Sequence, residues 1–358
     1  DPKEKTIAAQ ETISFENNSN TELKELYFRI YPNHKFAAKD IANIRKFTSS
    51  LKVDAFPEGG NSGIFEIRGV SHNQDSLNYE ILGEDATVLR IDLKEPLRTG
   101  EAIEINIEFY SKIPRRYGRY GWHKNIFTLH RWYPILSVLD QDGWHNEPDY
   151  VFQLPYFSEA AIYEIELTLP SEYTVIFGAD LLSERPGPDN KKTLKIGGDV
   201  PMREFSLAIS SDYKLWEHGF KDKKIRSFYL EGDEASARSA AEFAASLIQY
   251  YSDKFGAYPY SQFSIAPVYL GYGGNQCSGM ILVDTRLYRL PKFLDRYFDY
   301  IIAHETGHQW WYNIVGNNKF KEIWLDEGVN VYWLSKYIED KYGPEAKVLD
   351  MPKWLEFF

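Results

Sequence analysis

The strongest constraint in this chain is a run of two histidines with a carboxylate downstream. His304 and His308 stand four residues apart with Glu305 between them, and Glu327 follows after a gap of eighteen residues. On a helix, a spacing of four puts both imidazoles on one face, about one turn apart. Two neutral imidazoles and one carboxylate, with a fourth position left to water, form the usual ligand set of a catalytic zinc site. His304, His308 and Glu327 are therefore expected to hold one zinc ion. Ile301, Ile302 and Ala303 before the motif, and Trp310 and Trp311 after it, read as one apolar, buried helix. Buried polar groups need partners, and a shared metal would supply one.

Bulk properties narrow the remaining classes. The 358 residues are 43% hydrophobic and 26% charged, which suits two globular domains with sizeable cores. The net charge of −11, with no basic block, argues against a nucleic-acid partner. Cys277 is the single cysteine, so no internal disulfide forms. No apolar run approaches eighteen residues, so no membrane span is expected. The chain starts at Asp1 rather than Met and stops at Trp354–Phe358, and is expected to be a piece of a longer protein.

Taken in order, Thr12 to about Ser210 reads as strands: Leu26–Tyr31, Ile64–Val70, Ala102–Tyr110, Ile162–Leu169 and Thr174–Phe177. Apolar and polar residues alternate in the third and fourth of these, as in a sheet with one wet face. Alternation by itself supports a sandwich or an open antiparallel sheet. Arg115–Tyr150 breaks the rhythm, being rich in Arg, Tyr and Trp, and it holds His123, His130 and His145. Their spacings fit no metal-ligand pattern, so a loop packed by aromatics is expected. The polar run near Asp212–Lys224 suggests a boundary, giving domains 1–213 and 214–358.

The second domain reads as a strand (Ile225–Leu230), an alanine-rich helix (Glu234–Phe255) stopped at Gly256, and a strand (Phe263–Val268). A glycine-rich loop follows (Gly271–Met280). Pro291 opens the zinc helix, and Glu322–Tyr342 forms the helix that carries Glu327. Cys277 is expected to be a small residue in a tight loop rather than a thiol directed at the metal. An imidazole that ligates a metal needs an acceptor for its other nitrogen, and Asp326 and Glu322 are both near in sequence.

These motifs resemble a known family. HETGHQWW (His304–Trp311), with Glu327 in WLDEG, is similar to the gluzincin zinc aminopeptidases of peptidase clan MA, the alanyl aminopeptidase and leukotriene hydrolase type. Asp326 stands where that family usually has Asn. KFGAYPYSQFSIAPV (Lys254–Val268), RWYPILSVLDQDGW and LPSEYTVIFGADL extend the likeness over nearly the whole chain. The resemblance implies an α+β multidomain fold. An N-terminal antiparallel, saddle-like β domain would precede a thermolysin-like α+β zinc peptidase domain, truncated at its C-terminal end.

The implied function is a zinc metallopeptidase that hydrolyses peptide bonds, with aminopeptidase action the first reading. A zinc-bound water would attack the peptide carbonyl, with Glu305 as general base. The substrate loop would be Gly273, Gly274, Asn275 and Gln276, whose backbone pairs with the peptide like an added strand. Gln276 replaces the family's Glu, which holds the substrate ammonium, and an amide has no charge to offer. An endopeptidase or a leukotriene-hydrolase-like activity is one alternative on that ground. A catalytically impaired peptide-binding module is another, because the family's oxyanion-donating tyrosine lies further downstream than this chain extends. Tyr332, Tyr337 and Tyr342 sit too close to Glu327 to replace it, so the isolated chain is expected to bind zinc and be weakly active. Relatives with the RWYP…GW pattern include membrane-attached bacterial proteins, which implies a cell-surface location as one option beside the cytoplasm. Oligomeric state is not legible in the residues.

Overall fold

The computed structural model describes residues 1–148, 156–291 and 294–346. Tyr150 and Trp354–Phe358 lie outside them. The chain packs as two compact units, Asp1–Trp122 with Arg131–Glu159, and His123–His130 with Ala160–Phe358. The described secondary structure is mostly β, with four α-helices.

The first unit is built from antiparallel strands. Thr6–Glu16 pairs along its full length with Ala102–Lys112, which pairs on its other side with Ile64–His72. A second sheet runs Ile135–Leu136, Leu23–Arg29, Val88–Leu97, Tyr79–Leu82. In Ala102–Lys112 the residues Ile105, Ile107, Phe109 and Ser111 are buried while their neighbours are not. That is the period-two pattern of a sheet with one wet face. One element departs from the strand-only expectation. Residues Ala38–Ser50 form a helix, α1, with Thr48 its only fully buried residue. Ile41 and Ile44, three apart, are too narrow an apolar stripe to announce it. Arg115–Tyr150, expected as a loop, contains the strands Tyr120–His123 and Ile126–Leu129.

Residues 160–213, expected with the N-terminal β domain, pack within the second unit. Ile176 and Ala208 share one buried apolar cluster with Phe228, Ala266, Val268, Met280 and Leu282. A polar stretch near residue 213 marks exposed sequence, but burial of apolar surface decides which segments cohere.

The second unit is organised on a five-stranded mixed sheet. Its order is Lys214–Phe220, Lys223–Tyr229, Gln262–Val268, Met280–Asp284, Gly274–Cys277. The middle pairs are parallel, and a parallel neighbour needs a crossover. Helix α2, Glu234–Phe255, supplies it and ends at Gly256, whose φ of +110° is costly for any side chain. Every residue of Gln262–Val268 and Met280–Asp284 is buried, as in strands covered on both faces. The glycine-rich segment, expected as a loop, instead supplies the edge strand Gly274–Cys277.

Two helices then carry the motif. Helix α3, Asp295–Gly307, starts later than Pro291 and ends one residue before His308, which caps it. Trp310 and Trp311 therefore lie beyond the helix rather than within it. They turn back onto α2: both rings contact Tyr251, and the Trp310 indole N–H donates to the Gly256 carbonyl at 3.1 Å. Helix α4, Lys319–Tyr342, begins one turn before the expected Glu322, because the Asn318 side chain accepts the Phe320 N–H as an N-cap. It kinks at Glu322 and ends at Gly343.

On α2 the residues Ala237, Ala240, Ala241, Ala244 and Ala245 are buried together with Leu247, Ile248 and Tyr251. Alanines along this face let the helix lie close to its neighbours. Ala241→Leu is expected to overpack it and lower stability by about 1–3 kcal/mol, read as a lower urea midpoint with an unchanged slope.

Candidate metal centre

His304 lies in the last turn of α3, His308 caps it, and Glu327 lies on α4. The two imidazole Nε2 atoms are 3.2 Å apart, and Glu327 Oε2 is 3.3 Å from His304 Nε2 and 3.6 Å from His308 Nε2. Ligand atoms about 2.0–2.2 Å from a tetrahedral zinc sit roughly 3.3 Å from one another. The three atoms thus form one face of a zinc tetrahedron. His308 is wholly buried, whereas His304 and Glu327 are partly exposed, so the remaining corner points away from the core.

Residues around the three donors hold them in place. His308 Nδ1 faces Asp326 Oδ1 at 2.6 Å, which turns Nε2 toward Glu327. Of the two acceptors adjacent in sequence, the structure selects Asp326; Glu322 sits at the kink instead. The Lys319 ammonium pairs with Asp326 and, at 3.3 Å, with Glu327. Lys319 escaped sequence reasoning, although it stands seven and eight residues before those acids, two helical turns away on one face. The Asn330 amide donates to the His304 carbonyl at 2.8 Å. A Cβ on Gly307 would meet Asn330 Oδ1 at 2.0 Å, so the glycine of HETGH is what lets α4 approach α3.

The charges are strongly perturbed. Burial disfavours the His308 imidazolium, but Asp326 and then Glu327 outweigh it and raise the pKa to about 10. Burial likewise opposes the Glu327 carboxylate, yet His304, His308 and Lys319 hold its pKa far below the usual range.

Glu305 points at the sheet. A Cβ on Gly274 would lie 2.7 Å from Glu305 Cγ and 2.8 Å from its Oε1. The edge strand therefore runs directly over the Glu305 side chain, with Gly273 against Ile301 beside it. Side chains alternate along a strand, so Gln276 shares the Gly274 face toward α3. Asn275 and Cys277 share the other face; the buried Asn275 amide donates to the Gln276 carbonyl at 2.6 Å. The structure thus brings His304, Glu305, His308, Glu327, Gly274 and Gln276 to one side and turns the Asn275 side chain away. Gln309 ties the hairpin to the helix end. Its amide donates to the Cys277 carbonyl at 2.9 Å and accepts the Gly279 N–H at 3.0 Å.

The remaining sequence candidates are packing residues. The Tyr337 hydroxyl lies 2.6 Å from Ser246 Oγ, and Tyr332 and Tyr342 are exposed. His145, in the first unit, pairs with Asp140 and Glu147. His123 packs on Tyr269.

Residues 239–356 match the peptidase family M1 domain. This stretch resembles an M1 peptidase domain. Among curated relatives, the alanine/arginine aminopeptidase of Saccharomyces cerevisiae is 27% identical over 205 residues, 54% of this chain and 24% of that protein. Human aminopeptidase Q is 24% identical over 268 residues, covering 70% of this chain and 26% of its own. Leukotriene A-4 hydrolase of Xenopus laevis is 28% identical over 197 residues, covering 52% of this chain and 30% of its own. The chain therefore spans under a third of the length of these relatives. The crystal structure of an M1 zinc metallopeptidase from Deinococcus radiodurans superposes with a TM-score of 0.59 at 15% identity, covering 93% of this chain and 67% of that one. That likeness shows the fold. The gluzincin resemblance read from the motifs is this M1 kinship, and the donor set fits the zinc of that family. Among the described residues, no helix is long and apolar enough to cross a membrane.

Two outcomes follow from the electrostatics. A zinc ligand must be unprotonated, and metal-free His308, with its pKa raised to about 10, is protonated at neutral pH. Zinc binding at pH 7 is expected to release that proton, and affinity to climb as pH rises toward that value. Calorimetry in buffers of different ionisation enthalpy measures the release. Asp326→Ala removes the acceptor that orients His308 and is expected to weaken zinc binding by about 10–100-fold, read by chelator competition.

Proposed function

We propose that this chain carries the zinc-dependent peptidase centre of an aminopeptidase-like enzyme, acting on peptides. The observation that carries the reading is the zinc-sized triangle of His304, His308 and Glu327 with Glu305 pressed against the edge strand. In this reading the second unit is the thermolysin-like catalytic part and the first a saddle-like β domain.

His304, His308 and Glu327 would hold the zinc. When bound, zinc supplies a Lewis acid that polarises the scissile carbonyl and makes water acidic enough to lose its proton near neutrality. Glu305 takes the proton of the attacking water and passes it to the leaving amine. Its position beside the first ligand, held under Gly274, keeps the carboxylate on the metal side of the helix. The outer edge of Gly274–Cys277 binds the peptide backbone as an added strand. Only glycine at 274 lets a strand pass so near Glu305. Lys319 offsets the charge shared by Asp326 and Glu327 and so keeps that acidic pair compact.

Gln276 favours a second reading, endopeptidase or leukotriene-hydrolase-like action. It sits on the metal-facing side of the strand as a neutral amide, so it binds a substrate ammonium less strongly than a carboxylate would.

Glu305→Gln is expected to lower peptide hydrolysis by about 10²–10⁴-fold with zinc content unchanged. Retained activity would sink the general-base role, and wild-type protein that binds zinc and peptide without turnover would favour a binding module. Comparing free-amine with N-acetylated peptides separates the two enzymatic readings. An aminopeptidase cleaves only the former, and Gln276→Glu is expected to widen that preference.

A further inference from the structure

The edge strand has a second face. Opposite the metal centre, Cys277 meets His130, at the end of the Ile126–Leu129 strand, and Glu204. Each offers one ligand atom, and all of these lie within 4.8 Å of one another. Cys277 Sγ is 3.5 Å from His130 Nδ1. All three residues are buried, Cys277 and Glu204 completely.

We propose that Cys277, His130 and Glu204 form a second, structural metal site for a thiophilic divalent ion of the zinc class. Four observations support it. The first is donor type. One sulfur, one imidazole and one carboxylate suit zinc and its neighbours and disfavour magnesium or calcium. The second is spacing. Sulfur and nitrogen ligands at about 2.3 and 2.0 Å from one tetrahedral zinc lie roughly 3.5 Å apart, which is the observed separation.

The third is charge. Glu204 accepts the Ser278 N–H at 2.7 Å and the Tyr312 hydroxyl. A thiolate and a carboxylate together balance a divalent ion, with neutral His130 completing the set. Binding would release the thiol proton to solvent. The fourth is orientation. Glu204 is held by those two donors, and His130 Nδ1 lies 2.9 Å from Ser206 Oγ. That hydroxyl is the adjacent oxygen for a fourth position.

Closure argues for a structural role. The cluster abuts the apolar residues Ile126, Ala208, Met280 and Leu282, so the ion would enter as the chain folds. It would join three segments distant in sequence behind Gly274–Cys277. The strand's register would then be fixed from the back, with Gly274 and Gln276 kept on the metal-facing side.

Cobalt tests this directly. Cys277 is the only cysteine, so near-ultraviolet thiolate-to-cobalt charge transfer can arise only here. The chain is unfolded with chelator and refolded with excess cobalt(II), then freed of unbound ion. The expected result is a second equivalent of cobalt beyond that at His304, His308 and Glu327, together with the charge-transfer absorption. Cys277→Ser removes that absorption and one equivalent. His304→Ala loses the other equivalent and keeps the absorption, so failure of either site is read separately. Wild-type protein that is fully folded and cobalt-loaded yet lacks the thiolate absorption would overturn the proposal, even if Cys277→Ser does not fold.

Discussion

Asp326 is completely buried, and its two oxygens face a buried imidazole and a buried ammonium. An isolated carboxylate in that position would be severely penalised, and removing one partner of such a group typically costs about 3–5 kcal/mol. The trio therefore forms together or not at all. It joins the cap of α3 to the first turns of α4, and so fixes where Glu327 lies relative to both histidines. Gly307 permits the approach, and Asn330 bonds the His304 carbonyl across it. The spacing of the three donors is thus set by an ion-paired, hydrogen-bonded joint between helices.

The second dependency is the edge strand. Gln309 belongs to the motif, yet its amide clamps the hairpin of Gly274–Cys277 and Met280–Asp284 rather than a ligand. The strand that would hold a peptide is thereby tied to the helix that would hold the zinc. Central strands buried on both faces and the alanine face of α2 supply a stiff base for that connection. Rigid support of this kind is what a general base needs, since proton transfer demands reach within about 2.6–3.2 Å. The opposite face of the same strand carries Cys277 into a separate buried cluster.

Much of this was legible in the residues. A spacing of four on a helix is a geometric statement, so His304, Glu305 and His308 needed no fold to be paired. The helix Glu234–Phe255 announced itself by its apolar period and its stop at Gly256, and the helix over Glu322–Tyr342 by its stop at Gly343, although its observed start is Lys319. Helix α1 was hidden because a helix that buries almost nothing lacks a stripe. The end of α3 at Gly307 was hidden too, because Trp310 and Trp311 satisfy an apolar pattern equally well as core residues for α2.

By itself the sequence determined local geometry and donor chemistry: two imidazoles about one turn apart, a glutamate between them, a carboxylate downstream, and glycines where backbones must nearly touch. Only the tertiary structure decided which acid orients His308, that Lys319 neutralises it, which way Asn275 and Cys277 point, and that His130 and Glu204 meet that thiol. Those pairings join residues from seven to 147 positions apart. Periodicity is a property of neighbours along a chain, whereas contact across a core depends on where the packing of apolar surface brings remote segments together.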